Sequence, residues 1–197
     1  MTQFLRPFFA FLLTALCFVS STAHAAAAQD YLEAKQKELT VLIKQPKSAA
    51  NDQKLTLTFD ALLDYDAFAK NSLVDEWASL SPAQRDEFKS LLTTLVQRSY
   101  TKNIRDTLDY NITFKGESEA KAGKLVRSVA KHKTDARKES VHIDYLVHQV
   151  GGKWRVYDII TEGESLVGNY TNQFRRVIKK DGFSGLIAKM RKKADEG

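Results

Sequence analysis

The hydrophobic period changes twice along this chain, and those two changes constrain its fold more than any motif does. Between residues 29 and 108 apolar side chains recur every three or four positions. From Tyr110 to Ile160 the spacing is two, and beyond Ile160 it returns to the helical period. A helical pattern does not settle as strand, nor the reverse. The order helices, meander, helices therefore predicts an α+β domain.

The local signals agree. In residues 29–45, Leu32, Leu39 and Ile43 share one side, and Pro46 ends the run. Residues 51–63 place Leu55, Phe59, Leu62 and Leu63 on one face. Asp64-Tyr65-Asp66 breaks that helix and offers a cap to a short one reaching Leu73. Ser81-Pro82-Ala83-Gln84 supplies an N-cap serine, a proline at the first helical position and a glutamine at the third. The long helix that follows carries an unusually wide apolar face from Phe88 to Leu108.

The alternating region divides into four strands, 110–115, 124–133, 140–150 and 153–160. Their connections are short, which makes the sheet antiparallel, and Gly151-Gly152 is a tight hairpin signal. After them Thr161-x-x-Glu164 has the form of a capping box, with Ser165 as a rival cap. Leu166, Val167, Tyr170, Phe174, Val177 and Ile178 form one stripe, Gly182 interrupts it, and 183–192 reads as a final basic amphipathic helix.

The first 25 residues have a different character. A weakly basic start is followed by an apolar run over 8–19, too short to span a bilayer, and then by Ala23-His24-Ala25. This is the pattern of a secretory signal peptide cleaved after Ala25. It leaves 26–197 as one domain, helical over 26–108, a sheet over 109–161 and helical again over 162–193. The single cysteine, Cys17, lies in the leader with Leu16 before it, so lipidation there is not expected and the exported chain has no disulfide. The chain carries 30 Lys and Arg against 24 Asp and Glu, a net of +6. Such an excess suits solubility, or an anionic lipid or acidic protein partner, whereas export argues against nucleic acid.

Catalytic signatures are scarce. The chain has no G-x-S-x-G, no Walker sequence and no dinucleotide fingerprint. His142, Asp144, Leu146 and His148 alternate onto one strand face, but two histidines six residues apart along a strand stand about 20 Å from one another. One metal ion cannot bridge that distance, so the solvated outer face of a sheet is the plainer reading. Asp158, beside Tyr157, suits acid–base work only if its carboxyl is buried and shifted. No metal and no cofactor are expected. What the chain does offer is abundant apolar surface, which either fills a core or lines a cavity.

Residues 154–174, WRVYDIITEGESLVGNYTNQF, decide between those options through a resemblance. Trp154, Val156, Tyr157, Asp158, Glu162, Gly163, Ser165, Leu166, Val167, Asn169, Tyr170 and Phe174 resemble the C-terminal signature of the MlaC family. These are the periplasmic phospholipid-binding proteins also called toluene-tolerance proteins. Ile178, Gly182, Leu186 and Ile187 resemble the family's ending. Asp64-Tyr65-Asp66 with Ala69, Leu73 and Trp77, and Leu80-Ser81-Pro82 with Phe88 and Tyr100, resemble its middle. Val74 and Lys70 depart from it, where glycine and arginine are usual.

The resemblance implies a curved four-stranded antiparallel sheet packed and wrapped by helices, with an apolar pocket between them. It implies a monomeric carrier, not an enzyme, with phospholipid as cargo and no other cofactor. Its partners would be an outer-membrane lipoprotein–porin complex and an inner-membrane ABC transporter, in the service of outer-membrane lipid asymmetry. A hopanoid-associated branch is also similar, so another envelope lipid is the alternative cargo. The candidate lining residues are Phe68, Leu92, Val96 and Tyr100 from the helices, and Ile143, Tyr145, Val147, Tyr157 and Ile159 from the sheet. Tyr170 and Phe174 come from the last helical stripe. Arg175, Arg176 and Lys179 are candidates to attract an anionic headgroup or partner, against the plainer reading of a solvated helix end. Two other classes stay open at this stage, a small enzyme using Asp158 or Tyr157 and a filled-core interaction module of the envelope.

Overall fold

The computed structural model describes residues 27–196; the leader expected from sequence, with its cleavage site after Ala25, lies outside them. Its centre is an open antiparallel sheet of five strands in sequence order, β1 (Tyr110–Ala120), β2 (Gly123–His132), β3 (Val141–Val150), β4 (Lys153–Thr161) and β5 (Glu164–Ser165). The α+β class and the meander match the periodicity, whereas the count of four strands needs correcting to five. The extra strand has two residues, too few for any period to register. It pairs Ser165 with Ile160 and Glu164 with Thr161 across a turn in which Glu162 and Gly163 both have positive φ, 51° and 83°. Thr161 and Glu164 are therefore hairpin partners rather than a capping box, and Ser165 caps the following helix by accepting from Gly168 N at 2.8 Å.

β1 also runs further than its alternation predicts, because a bulge between Phe114 and Gly116 restarts the pairing with β2 as far as Ala120. Gly116 has φ 112°, a left-handed value that a glycine takes without strain. The polar stretch Glu117-Ser118-Glu119 reads as loop in sequence, yet it pairs with β2 at Val126, Leu125 and Lys124.

Five helices flank this sheet. They are α1 (Ala28–Lys44), α2 (Ala49–Asp60), α3 (Tyr65–Ser72), α4 (Pro82–Asn103) and α5 (Leu166–Asp195), the last kinked at Gly182, which has φ 69° and ψ 177°. The expected box starts α4, with Gln84 N donating to Ser81 Oγ at 3.3 Å and Ser81 N to Gln84 Oε1 at 2.9 Å. Asp64 caps α3 through Ala67 N at 2.9 Å. Residues 104–109 form a 3-10 segment leading into β1.

The main core sits where α3, α4 and α5 meet the sheet. Phe88 and Leu92 of α4 are fully buried, together with Leu73, Val126, Val147 and Val156. Phe88 and Phe174 meet edge to face with centroids 5.4 Å apart, a geometry favoured by the ring quadrupoles. A second, smaller cluster of Ile43, Leu55 and Ile104 joins α1, α2 and the 3-10 segment.

The edge of β4 is not left bare. Besides β5, the chain after α2 runs alongside it, with Val156 N donating to Leu62 O and Asp64 N to Val156 O, each at 2.8 Å. His148 of β3 reaches the same connection, its Nε2 lying 2.6 Å from Asp64 Oδ2 and its ring against Tyr157. The outer face predicted to be solvated is therefore only partly so. His142 is exposed, but His148 is a clasp between the sheet and the α2–α3 turn.

Candidate functional site

The first helix is pinned across the sheet at both ends. Gln29 N donates to Glu117 Oε2 at 2.8 Å, so the bulge-extended half of β1 holds the start of α1. Arg105 Nη1 donates to Ile43 O at 2.7 Å and ties down its end. Between these anchors α1 does not press flat onto the strands. A cavity of about 490 Å³ lies beneath it, within the ~300–1,000 Å³ range of ligand pockets. Its roof is Leu32, Gln36, Leu39, Thr40 and Ile43 of α1, with Phe59 from the end of α2 and Leu62 and Leu63 from the chain just after it. Its floor is the inner sheet face: Tyr110, Ile112 and Phe114 of β1, Ile143 and Tyr145 of β3, Val156 and Ile159 of β4. The register explains the floor, since Tyr145 pairs with Ile159 and Ile143 with Thr161, stacking their side chains on one face.

A second cavity of about 280 Å³ opens on the far side of Phe59. Phe68, Val96, Tyr100, Leu166 and Tyr170 line it from the helices, and Tyr157, Asp158 and Ile159 from β4. Phe59, Leu63, Thr107, Val156 and Ile159 belong to both linings, so the two spaces share a wall. Phe59 stacks on Tyr100 within that wall, with ring centroids 3.6 Å apart.

Of the residues singled out from sequence, Ile143, Tyr145 and Ile159 line the larger cavity, while Phe68, Val96, Tyr100, Tyr157, Ile159 and Tyr170 line the smaller. Leu92 and Val147 are wholly buried in the packed core and line neither. Phe174 borders a separate groove between α4 and the two halves of α5. Arg175 pairs with Asp75 at 2.8 Å, and neither it nor Arg176 nor Lys179 borders the two sheet-side cavities. Sequence reasoning missed the roof. Leu32, Leu39 and Ile43 were legible as an apolar stripe, and Tyr110, Ile112 and Phe114 as an alternation, but periodicity does not tell a face that packs from a face that leaves a gap.

The chemistry of these walls is passive. Burial holds the phenols of Tyr100, Tyr145, Tyr157 and Tyr170 above the ordinary tyrosine range, so they stay neutral. Asp158 has both carboxylate oxygens engaged. Oδ1 accepts from Ile159 N at 2.8 Å and Val167 N at 3.0 Å, and Oδ2 from Ser165 Oγ at 2.6 Å. The carboxylate thus splices β4 onto the first turn of α5. Among the described residues, no group of three or more His, Cys, Asp or Glu is placed to hold a metal ion, and no helix is long and apolar enough to cross a membrane.

An open antiparallel sheet roofed by helices, with a ligand-sized apolar space between them, defines a cavity-bearing α+β protein. The chain belongs to the MlaC family, whose sequence model, described as the MlaC protein, matches residues 33–192. Among solved structures it is similar to the phospholipid-binding protein from Ralstonia solanacearum, determined in complex with a phospholipid. The TM-score is 0.72 at 24% identity, over 86% of this chain and 97% of that one. At this identity the likeness speaks for the fold. No curated protein matches the chain.

Proposed function

We propose that this protein is a periplasmic phospholipid carrier, and that it shuttles lipid between an outer-membrane lipoprotein–porin complex and an inner-membrane ABC transporter. The observation that carries the reading is the apolar space between α1 and the sheet, continued behind Phe59 by a second one. Family membership and the phospholipid held by the Ralstonia neighbour support it. The physical need is plain. A phospholipid with two ~16-carbon chains, at about 0.8 kcal/mol per buried CH₂, loses roughly 25 kcal/mol of hydrophobic stabilisation in open water. A carrier has to replace that with its own walls and then give the lipid up. It makes and breaks no bond, which fits walls of neutral phenols and aliphatic side chains and an Asp158 committed to hydrogen bonds. A protein-interaction module would have no use for the two cavities.

Native mass spectrometry of protein purified without detergent tests this. One phospholipid per chain is expected. Ile159→Trp, which places a larger side chain in the wall common to both cavities, is expected to cut the loaded fraction at least about tenfold, the equivalent of ~1.4 kcal/mol. Co-purification of a hopanoid would keep the carrier and change its cargo. A bare mass that stays bare after incubation with lipid vesicles would refute the carrier reading.

A further inference from the structure

The larger cavity is chemically lopsided, and the sheet register explains why. Tyr110 pairs with His132, and Lys133 N donates to Asp109 O at 2.8 Å. Ile143 pairs with Thr161. The start of β1, the end of β2, the start of β3 and the end of β4 therefore share one end of the sheet. The Arg105 bond to Ile43 O brings the last turn of α1 to the same end. Both cations of the lining, Lys44 and Lys133, stand there with Thr107, Asn111 and Thr161, Gln36 and Thr40 lie along the middle of α1, and the opposite end is walled by Leu32, Leu63, Phe114 and Val156.

No carboxylate lines this cavity among the described residues. The nearby Asp106 borders only an adjoining space of about 220 Å³. Lys44 is exposed and makes no ion pair or hydrogen bond among the described residues. The Lys133 ammonium donates to Leu108 O, which leaves two of its three N–H donors free. Two under-occupied ammonium groups at the wet end of an apolar space match an amphiphile whose polar end is anionic.

We infer that Lys44 and Lys133 bind the phosphodiester of the cargo's headgroup, and that the protein prefers a net-anionic headgroup over a zwitterionic one. The inference rests on the carrier reading and gives the cargo a direction. The phosphate sits between the end of α1 and the end of β2, and the chains run toward Phe114 and Val156. Each ammonium makes a charge-assisted hydrogen bond to a phosphate oxygen. A choline-type headgroup would set its own cation beside both lysines and lose that advantage.

The test offers lipid-stripped protein to vesicles holding equal amounts of phosphatidylglycerol and phosphatidylcholine with matched chains, and reads the loaded species by native mass spectrometry. A preference for phosphatidylglycerol of about fivefold for each engaged lysine is expected. Lys44→Gln with Lys133→Gln brings the ratio close to one, whereas Lys44→Arg with Lys133→Arg retains it. Lys44→Glu alone, at an exposed position, also lowers the ratio in a chain whose melting is unchanged. Inorganic phosphate in large excess leaves the ratio as it was; its loss would assign the lysines to a free-anion site and overturn the inference. Equal loading of the two lipids by the unaltered protein, or a ratio indifferent to the glutamine pair, also overturns it and leaves the carrier reading standing. Failure to load either lipid overturns both.

Discussion

Replacing Asp158 with alanine separates a structural carboxylate from a catalytic one. The side chain accepts three hydrogen bonds, from Ile159 N, Val167 N and Ser165 Oγ, at 2.6 to 3.0 Å. Alanine leaves two backbone N–H groups without their acceptor at the strand-to-helix junction. One of them belongs to Val167, which is buried. An unsatisfied buried donor costs about 1–3 kcal/mol, so the pair and the lost serine bond together come to about 3 kcal/mol. For a domain of this size each kcal/mol shifts Tm by roughly 2–4 °C, so a fall of roughly 6–12 °C is expected by calorimetry. Asp158→Asn keeps one acceptor oxygen and loses about half as much. Because Ser165 both bonds Asp158 and caps α5, Ser165→Ala with Asp158→Ala costs less than the two single changes added. Below the melting transition the variants still load lipid. A stability change under ~0.5 kcal/mol for Asp158→Ala would show that the junction is not held as described. Lost turnover of some substrate in an intact Asp158→Asn fold would restore the enzyme reading.

Two further predictions concern the sheet and the phenols. Gly123→Ala would set a Cβ 2.1 Å from Val147 O at φ 112°, so a loss of about 3 kcal/mol in denaturant unfolding is expected, whereas Gly151→Ala, in open space at φ 57°, costs about 1 kcal/mol; equal costs would refute the close approach of β2 and β3. At high pH the buried tyrosines act together. Burial, and for Tyr65 also its bond to Asp60, holds the folded phenols above the ordinary value of 10.0, so near and above that pH the folded chain keeps protons that the unfolded chain releases. Their contribution to stability is complete below about pH 10 and is lost as pH rises beyond it, and a phenolate titration of the folded protein lags behind that of the unfolded one. Coincident titrations would refute the burial of these rings.

Much of this molecule is local in origin and so was legible in advance. The switch of period at Tyr110 marks the boundary between helices and sheet, and the Ser81–Gln84 box starts α4 as spacing alone requires. Gly151-Gly152 turns the β3–β4 hairpin, with both φ values positive. The resemblance carried by residues 154–174 pointed to the family whose model matches residues 33–192. What could not be read had non-local causes. β5 has two residues and exists because Ile160 and Thr161 offer it an edge. The polar end of β1 is a strand because β2 pairs with it beyond a bulge. His148 looks like a solvent-facing residue until the α2–α3 turn brings Asp64 to it.

The candidate site divides in the same way. Ile143, Tyr145 and Ile159 were visible as an inward-facing row because strand alternation assigns faces. Leu92 and Val147 look no different in sequence, yet they are packed solid. Whether an apolar side chain meets a neighbour or a void depends on how far apart its element is held from the next one. That distance is set by Gln29 on Glu117, Arg105 on the end of α1, and the stacked wall of Phe59 and Tyr100. The amino-acid sequence by itself determined which faces are apolar, because periodicity is a property of neighbours along the chain. Only the tertiary structure decided where those faces stand apart, because a cavity is a property of residues that the chain brings together from a distance.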